Sequence, residues 1–551
     1  MSVSRRSGFA VATAASLTLV LAACGSSGSG ATGSAGSPVS GGTLTYAINT
    51  DADCLDPHQS PADVAGFFAR PILDSLVALD PGGKILPWLA KSWTVSADGR
   101  AYTFNLRDDV TFSDGEAFDA AAVKANFDHV VNPKTQSKLA AGTIPTYTGA
   151  RVIDPHTVEI DLSQPSSAFL PAVATAYLGI EAPSTLAGDP KALCGKIVGT
   201  GPFVSADGYT PQKGISYTRR NDYKWPAGTA KHQGPAYLDR LDIQVVTENS
   251  SRLGALTSGQ VDAIASVPPV NVAQLKANPG FQIQTAQAPG GNYSYYPNTQ
   301  SGPFADIRVR QAFRSGIDWD TIVSKLYFGV FQPAKNPLAP STVDYDKTVE
   351  PSYAYDPAKA NQLLDQAGWT GRDAQGYRTK DGVRLTLVHP FLQAYVREQR
   401  DVLADQLQAA AKQLGIEIKN QNVDYGTYLK LLATPEGHDL GDFSWQRASP
   451  DALRTLFGSA NIATPQSGFG TNQARYDNPA VDKYLADALT TGDPRQQADL
   501  YAKAQQQITA DAAVFPVYVF NYVVGAAKKV QGITFEPQAF PTFYDTWLAQ
   551  Q

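Results

Sequence analysis

The spacing of apolar residues alternates along the chain between a helical period and a strand period. Between Asp356 and Gly368, apolar side chains recur every three or four positions behind an acidic residue and a proline. That spacing predicts one apolar helix face, with a capping acid and a proline at the start and a glycine at the end. A longer helix is predicted over Tyr395–Leu414; Gly415 ends it, and a strand follows at Ile416–Ile418. Repetition of helix, glycine and strand is typical of α/β lobes.

Further elements are predicted in the first half of the chain. Thr43–Ile48 forms the first strand, and a helix over Ser250–Ser258 precedes a short strand at Val261–Ile264. Strict alternation over Tyr102–Arg107 gives a strand with one apolar face. A turn at residues 108–109 is followed by Val110-Thr111-Phe112, so we predict that residues 110–112 return as the second strand of a hairpin. A helix is predicted to start near residue 119.

The N-terminus has the pattern of a processing segment. Two arginines precede about fifteen mostly apolar residues, which is too short for a comfortable membrane span. This stretch, residues 1–23, ends in Leu-Ala-Ala before Cys24, and it resembles the lipobox of bacterial lipoproteins, in which the cysteine is acylated. Residues 24–42 are almost wholly Gly, Ser, Ala and Thr, so we expect a flexible tether behind the lipidated Cys24. An ordinary N-terminal helix with a buried thiol is the alternative.

Length and charge narrow the class of protein. About 500 residues follow the tether, more than one small core can serve, so two or more lobes are expected. No later stretch has the apolar length of a membrane helix. The chain has 45 basic and 51 acidic residues, and no basic run, so nucleic acid is not an expected partner.

Two cysteines remain beyond Cys24. Cys54 and Cys194 lie in a chain predicted to be exported, where a pair of cysteines is usually bridged. We therefore expect one disulfide. Two separate, buried, reduced thiols are the alternative.

Short motifs follow one another along nearly the whole mature chain, at residues 89–93, 96–100, 102–107, 112–115, 119–123, 199–203, 221–225, 304–313, 317–318 and 515–518. Together they resemble bacterial extracellular solute-binding proteins of the peptide- and nickel-binding ABC importer family, family 5. No single motif carries the resemblance; their order and spacing do.

The resemblance implies an α/β fold of the two-lobed periplasmic-binding-protein type, class II, with a hinged ligand cleft. Lobe I would comprise residues 43–287 and 515–551, with an extra subdomain at 70–195, and lobe II residues 288–514. The hinges would lie near residues 290–298 and 513–518. A ligand that contacts both lobes favours the closed state, which a membrane permease then recognises. Both bridged cysteines would fall in lobe I.

The stretch around Trp445 is the most informative for ligand binding. In peptide-binding relatives, the matching tryptophan is followed three residues later by an aspartate that pairs with the ammonium group of the peptide. Here Ala448 takes that position. Because a buried ammonium without a counter-charge is costly, Asp451 or another acid would have to substitute. Arg447 is placed to grip a carboxylate or phosphate. Core packing for Trp445 and a surface salt bridge for Arg447 are the alternatives.

Two further pairs are candidate ligand contacts. Tyr293 and Tyr295 alternate onto one face of a segment beside the predicted hinge, either towards the cleft or within a half-buried crossing strand. Asn49 and Asp51 follow the first strand, where α/β sheets present loops to a crevice, although both residues also suit ordinary turns.

These features predict the substrate-binding component of an ABC importer, lipid-anchored through Cys24 on the extracytoplasmic face of the membrane and monomeric. It would deliver an oligopeptide, a modified peptide or a chelate to permease subunits. The chain contains no sequence motif of a hydrolase or phosphate-binding loop, and its six histidines show no metal-type spacing, so we expect neither catalysis, nor a cofactor, nor a metal site. A ligand sensor for a signalling partner and an exported hydrolase are the alternatives.

Overall fold

The computed structural model describes residues 37–60, 62–137, 139–393, 396–468 and 470–550. The predicted signal segment, Cys24 and most of the predicted tether lie outside the described residues. So does Tyr395, at which the long central helix was predicted to begin.

The strands, in chain order, are β1 (Thr43–Ile48), β2 (Val77–Leu79), β3 (Ile85–Pro87), β4 (Ala90–Val95), β5 (Ala101–Leu106), β6 (Tyr147–Asp154), β7 (Thr157–Leu162), β8 (Phe203–Val204), β9 (Tyr209–Thr210), β10 (Gly214–Arg219), β11 (Arg240–Val245), β12 (Ala263–Ala265), β13 (Phe281–Gln287), β14 (Gly290–Pro297), β15 (Gln332–Pro333), β16 (Gly371–Arg372), β17 (Arg378–Lys380), β18 (Val383–Arg384), β19 (Thr386–Phe391), β20 (Glu417–Asn422), β21 (Leu440–Gln446), β22 (Phe515–Val519), β23 (Asn521–Ala527), β24 (Val530–Gln531), β25 (Thr534–Phe535), β26 (Pro541–Thr542) and β27 (Trp547–Leu548).

The helices, in chain order, are α1 (Asp63–Ala69), α2 (Ala120–Val131), α3 (Ala140–Thr143), α4 (Phe169–Val173), α5 (Pro183–Leu186), α6 (Pro190–Leu193), α7 (Asn249–Thr257), α8 (Pro269–Ala277), α9 (Ile307–Gly316), α10 (Trp319–Tyr327), α11 (Pro357–Gln366), α12 (Arg400–Gln413), α13 (Tyr425–Ala433), α14 (Ala452–Phe457), α15 (Pro479–Thr490) and α16 (Pro494–Ala510).

The fold is α/β and two-lobed, with one main sheet in each lobe. The sheet of lobe I has the strand order β13-β23-β12-β1-β11-β10-β8, and β9 pairs with β10. Strand β1 is parallel to both of its neighbours, β11 and β12. The sheet of lobe II has the order β15-β22-β14-β21 and is antiparallel. One cluster of buried apolar residues supports the sheet of lobe I, a second lies in lobe II, and a third contains residues from both sheets.

The chain passes between the two sheets at two short connections. The first lies at residues 288–289, between β13 in lobe I and β14 in lobe II. The second is Phe520, between β22 in lobe II and β23 in lobe I. Residues 515–519, which the expected boundaries assign to lobe I, pair with β14 in the sheet of lobe II. Their five buried residues continue the core of that lobe, which the local sequence alone does not reveal.

The predicted extra subdomain contains a sheet of its own, in the order β4-β5-β7-β6, with α2 packed against it. The predicted hairpin is wrong here. Strand β5 pairs with β4 and β7, while residues 110–112 form only an isolated bridge, from Thr111 to Ala117. Alternation correctly identified the buried face of β5, but it carries no information about which strands lie beside it.

Local capping signals were reliable. Asp356 caps α11 by accepting a hydrogen bond from the backbone N–H of Lys359 at 2.9 Å, as the sequence predicts. Asp119 caps α2 in the same way, through the N–H of Ala122. The long central helix is shorter than predicted, because Glu398 and Gln399 both have positive φ and α12 starts only at Arg400.

The predicted disulfide between Cys54 and Cys194 is present, and it links positions 140 residues apart. Beside it, the N–H of Leu55 donates to the carbonyl of Cys194 at 3.0 Å. The bridge therefore joins the loop after β1 to the end of the extra subdomain.

Candidate ligand-binding site

A cavity of about 410 Å³ lies between the extra subdomain and lobe II. Thr175 and Tyr177 belong to its wall on the subdomain side, and residues from Trp445 to Thr471 form the opposite wall. Gln538, from the C-terminal part of the chain, completes it and donates to the carbonyl of Gln446 at 3.4 Å. The volume lies within the range of about 300–1,000 Å³ typical of pockets for small molecules.

Strand β21 brings Trp445 and Arg447 to this cavity. Gly291 and Gly290 of β14 pair with Trp445 and Gln446, and the N–H of Arg447 donates to the carbonyl of Pro289 at 3.0 Å. Gly290 has a φ of +96°, and a side chain there would meet the Arg447 backbone nitrogen at 2.4 Å. The end of β21 is thus fixed directly against the first connection between the lobes.

Trp445 contacts both sides of the cavity. Its ring packs against the core of the extra subdomain and against a core of lobe II. Ala448, which replaces the aspartate of peptide-binding relatives, also packs against the subdomain core. The structure therefore combines the two roles that the sequence left open for Trp445, because its ring lines the cavity and also packs between hydrophobic cores.

Arg447 is held between two aromatic rings, one from each side of the cavity. Its guanidinium carbon lies 4.2 Å from the centre of the Trp445 ring and 5.4 Å from that of Tyr177. One Nη donates to the carbonyl of Gln446 at 2.6 Å. Within the described part of the chain, Arg447 forms no ion pair with a carboxylate. Burial lowers its pKa, which reflects the cost of a cation that lacks a close counter-charge.

Asp451 also lines the cavity, but its carboxylate is already used. Arg454 binds it through two hydrogen bonds, of 2.9 Å and 2.6 Å, one to each oxygen. Burial raises the pKa of Asp451, and Arg454 opposes that rise. A ligand ammonium would have to compete with this bidentate ion pair.

Tyr293 and Tyr295 are both fully buried on β14 and do not line this cavity. The hydroxyl of Tyr293 donates to Asp442 at 2.7 Å, and the guanidinium of Arg400 lies 4.2 Å from its ring centre. Tyr295 packs with its ring edge-on to His389. The two side chains share one face of β14, as predicted, and that face lies in the core of lobe II.

Asn49 and Asp51 follow β1, as predicted, but they also lie outside the cavity wall. Asp51 accepts hydrogen bonds from the hydroxyl of Tyr209 and from the backbone N–H of Gln212. Asn49 accepts one from Ser266 at 3.2 Å. In this structure both side chains serve contacts within lobe I.

Sequence reasoning missed two contacts that join the walls of the cleft. Arg397, just before α12, lies 3.4 Å from Asp63 at the start of α1. The N–H of Ser167, in the subdomain, donates to the carbonyl of Leu489 in lobe II at 2.8 Å. Both pairs are more than 300 residues apart in the chain, so no sequence motif connects them.

The described residues contain no helix long and apolar enough to cross a membrane. Two sheets joined by paired short connections, with a cavity between the parts they carry, define the class of two-lobed ligand-binding proteins.

The chain belongs to the bacterial extracellular solute-binding proteins, family 5, whose sequence profile matches residues 84–463. It is 29% identical to the glutathione-binding protein GsiB of Salmonella paratyphi A, over 92% of this chain and 94% of that protein. It is equally identical to heme-binding protein A of Haemophilus influenzae, over 97% and 98%.

Solved structures show the same fold. NikA from Brucella suis, in complex with Fe(III)-EDTA, superposes with a TM-score of 0.81 and 25% identity, over 92% of this chain and all of that one. The periplasmic binding protein DppA of Helicobacter pylori, in complex with the peptide STSA, gives 0.77 and 25%, over 93% and 99%. Substrate binding and delivery to an ABC permease is the role of this family.

Proposed function

We propose that this protein binds a small polar organic ligand with an anionic group, such as an oligopeptide or a modified peptide, in the cavity between the extra subdomain and lobe II. The observation that carries the proposal is Arg447, a half-buried guanidinium between the rings of Trp445 and Tyr177 without an ion-paired carboxylate among the described residues. A ligand carboxylate would supply the missing counter-charge through paired N–H donors.

The cavity offers fewer specific contacts to the end of the ligand opposite to its anionic group. Ala448 offers no carboxylate, and the carboxylate of Asp451 is paired with Arg454. A free ammonium would therefore have no unpaired acid at the position used by peptide-binding relatives. We propose that the ligand is recognised chiefly through its anionic group and its apolar surface, with weak selection for a free amino terminus.

The pairing of the strands supports a proposal for the lobe boundaries. We propose that closure rotates the lobes about residues 288–289 and 520, with lobe I at residues 43–287 and 521–550, the extra subdomain at 70–195 within it, and lobe II at 288–519. The Asp63–Arg397 contact would form only when the lobes are together. A ligand bound to Trp445, Arg447 and Tyr177 favours that state by touching both sides.

Anchoring and assembly complete the proposal. Cleavage after residue 23 and acylation of Cys24 would tether a monomer to the extracytoplasmic face of the membrane, within reach of the permease. The protein would bind its ligand without turning it over, as its relatives are binding proteins.

Mass spectrometry of material released from the denatured protein tests for a bound ligand. Calorimetry with di- and tripeptides, each with a free or an amidated carboxyl terminus, then tests the role of Arg447. We expect binding of the free acids to weaken at least about tenfold in Arg447→Ala, with a smaller loss in Arg447→Lys, which keeps the charge. The surface variant Arg151→Ala should bind as the parent does. Equal binding of acids and amides by the parent would refute the anionic assignment.

A further inference from the structure

Four side chains that carry metal-ligand atoms meet inside the protein, away from the cavity wall. Asp56 and His58 follow the disulfide cysteine Cys54, while His129 lies on α2 and Glu181 just before α5. One ligand atom each from Asp56, His58 and Glu181 lies within 4.8 Å of the other two, and these three side chains are fully buried. The Nδ1 atoms of His58 and His129 are 3.3 Å apart.

The ring of His58 is oriented as a ligand. Its Nε2 lies 2.9 Å from the carbonyl of Gly179, which accepts a hydrogen bond only from a protonated nitrogen. In the neutral ring the proton therefore sits on Nε2, and the lone pair of Nδ1 faces the cluster. A backbone carbonyl that fixes the tautomer in this way is the usual support of a metal-binding histidine.

Glu181 lacks the partners that a buried carboxylate needs. Its side chain has no exposure, and neither oxygen accepts a hydrogen bond from a described group. Asp56, the second acid of the cluster, is its neighbour. Over the described residues, no lysine or arginine forms an ion pair with either acid. Two acids and two imidazoles thus meet in a buried space without a fixed cation.

Asp56 is itself held in place. Its two oxygens accept hydrogen bonds from the backbone N–H of His58 at 2.7 Å and from the side-chain amide of Gln59 at 2.5 Å. The Nδ1 of His58 lies 3.9 Å from the nearer oxygen of Glu181. With Zn–N and Zn–O bonds of about 2.0–2.2 Å, two ligands of a tetrahedral ion lie about 3.3 Å apart, so the side chains would have to move closer together to bind the ion.

We propose that Asp56, His58, His129 and Glu181 form a structural site for a divalent transition-metal ion, most suitably Zn²⁺. Two nitrogens and two carboxylate oxygens are a ligand set that Zn²⁺ accepts in four-coordinate sites. The ion would join the loop after β1 to α2 and to the segment before α5. It would thus clamp the extra subdomain to lobe I close to the Cys54–Cys194 bridge, and it would be a resident ion rather than the transported ligand.

Zinc binding to the purified, metal-stripped protein tests the proposal. We expect one Zn²⁺ per chain after dialysis, measured by plasma mass spectrometry, and a rise in melting temperature on adding zinc sulfate alone. Glu181→Gln keeps the size of the side chain while removing its charge, and His58→Gln removes the central nitrogen. Both should bind Zn²⁺ at least about a hundredfold more weakly. Exposed His156→Gln is the matched control, with retained binding and zinc response.

Two measurements distinguish metal binding at this site from ligand binding in the cavity. Arg447→Ala should keep its zinc, since Arg447 contacts none of the four residues. Cobalt added in place of zinc should give the visible absorption of a tetrahedral ion in the parent and not in Glu181→Gln, while circular dichroism checks that the variant is folded. A parent chain that retains no zinc, or a folded Glu181→Gln variant with parental zinc affinity, would overturn the proposal.

Discussion

Arg397 reaches Asp63 across the cleft, with its Nη1 lying 3.4 Å from Oδ2 of the acid. Asp63 opens α1 in lobe I, and Arg397 precedes α12 in lobe II, so the pair joins elements that belong to different lobes. The Coulomb effect of Asp63 is the main reason why the pKa of Arg397 is raised. A contact of this kind can exist only when the lobes are close.

Removing this contact should favour the open form. In Asp63→Asn we expect ligand affinity to fall about two- to fivefold, since partly exposed ion pairs contribute about 0.2–1 kcal/mol. Small-angle scattering of the ligand-free protein should show a larger mean radius of gyration than the parent. Asp320→Asn, which breaks the exposed pair with Lys335 inside lobe II, is the matched control. If Asp63→Asn and Asp320→Asn had the same radius of gyration and the same ligand affinity, the proposed role of Asp63 in closure would be wrong.

Gly290 should tolerate no side chain. Its positive φ and the 2.4 Å approach to the Arg447 nitrogen combine two costs, backbone strain and a clash with backbone atoms. We expect Gly290→Ala to lower the free energy of unfolding by about 2–4 kcal/mol, measured by urea denaturation. Gly329→Ala is the control, because Gly329 also has positive φ but open space around it. A smaller loss in Gly290→Ala than in Gly329→Ala would contradict this account.

Asp74 should make stability depend on pH. It is buried, and burial raises its pKa to about 7, against the hydrogen bonds from Thr200, Trp225 and Tyr223. The folded state therefore keeps this proton while the unfolded chain, with an ordinary aspartate pKa of 3.8, releases it. The contribution of Asp74 to stability thus falls as the pH rises from about 4 to about 7, by up to roughly 1.4 kcal/mol per pH unit.

Asp74→Asn should flatten that dependence, because an amide preserves an acceptor for Trp225 without a titrating proton. Melting temperatures of variant and parent, measured from pH 4 to pH 8, should diverge progressively in favour of the variant as the pH rises from about 4 to about 7. Parallel curves for the two proteins would show that Asp74 does not titrate in this range.

The disulfide should contribute substantially to stability. Cys54→Ser with Cys194→Ser opens a loop of 140 residues, and we expect a loss of about 2–5 kcal/mol in unfolding free energy. The parent protein treated with a reductant should unfold at the same urea concentration as the double variant. Unfolding of the double variant at the urea concentration of the oxidised parent would contradict a stabilising role.

Local signals in the sequence predicted individual elements well. Strand β1 has the predicted bounds, Asp356 caps α11 as expected, and α2 follows Asp119, near which a helix was predicted to start. These features depend on residues only a few positions apart. The hairpin at β5 failed because its true neighbours, β4 and β7, are chosen by packing of the whole subdomain sheet.

The candidate site was predictable only where one segment carries it. Trp445, Arg447 and Asp451 lie within seven residues and do line the cavity together. By contrast, Tyr177 enters from a part of the chain far away, and the contact of His58 with His129 and Glu181 is assembled entirely by the fold. The spacing of residues along the sequence does not reveal such contacts, because they join distant segments of the chain.

The cavity wall is contributed by three stretches of chain that do not include the connections at residues 288–289 and 520, and the link from Arg447 to the first connection uses its backbone N–H. The side chains that line the cavity can therefore change during evolution without affecting the proposed closure of the lobes on a ligand. Members of such a family can acquire new ligands while the mode of lobe closure stays the same. In this chain, the determinants of ligand specificity should therefore be sought in the residues that line the cavity and not in the strands next to the connections between the lobes.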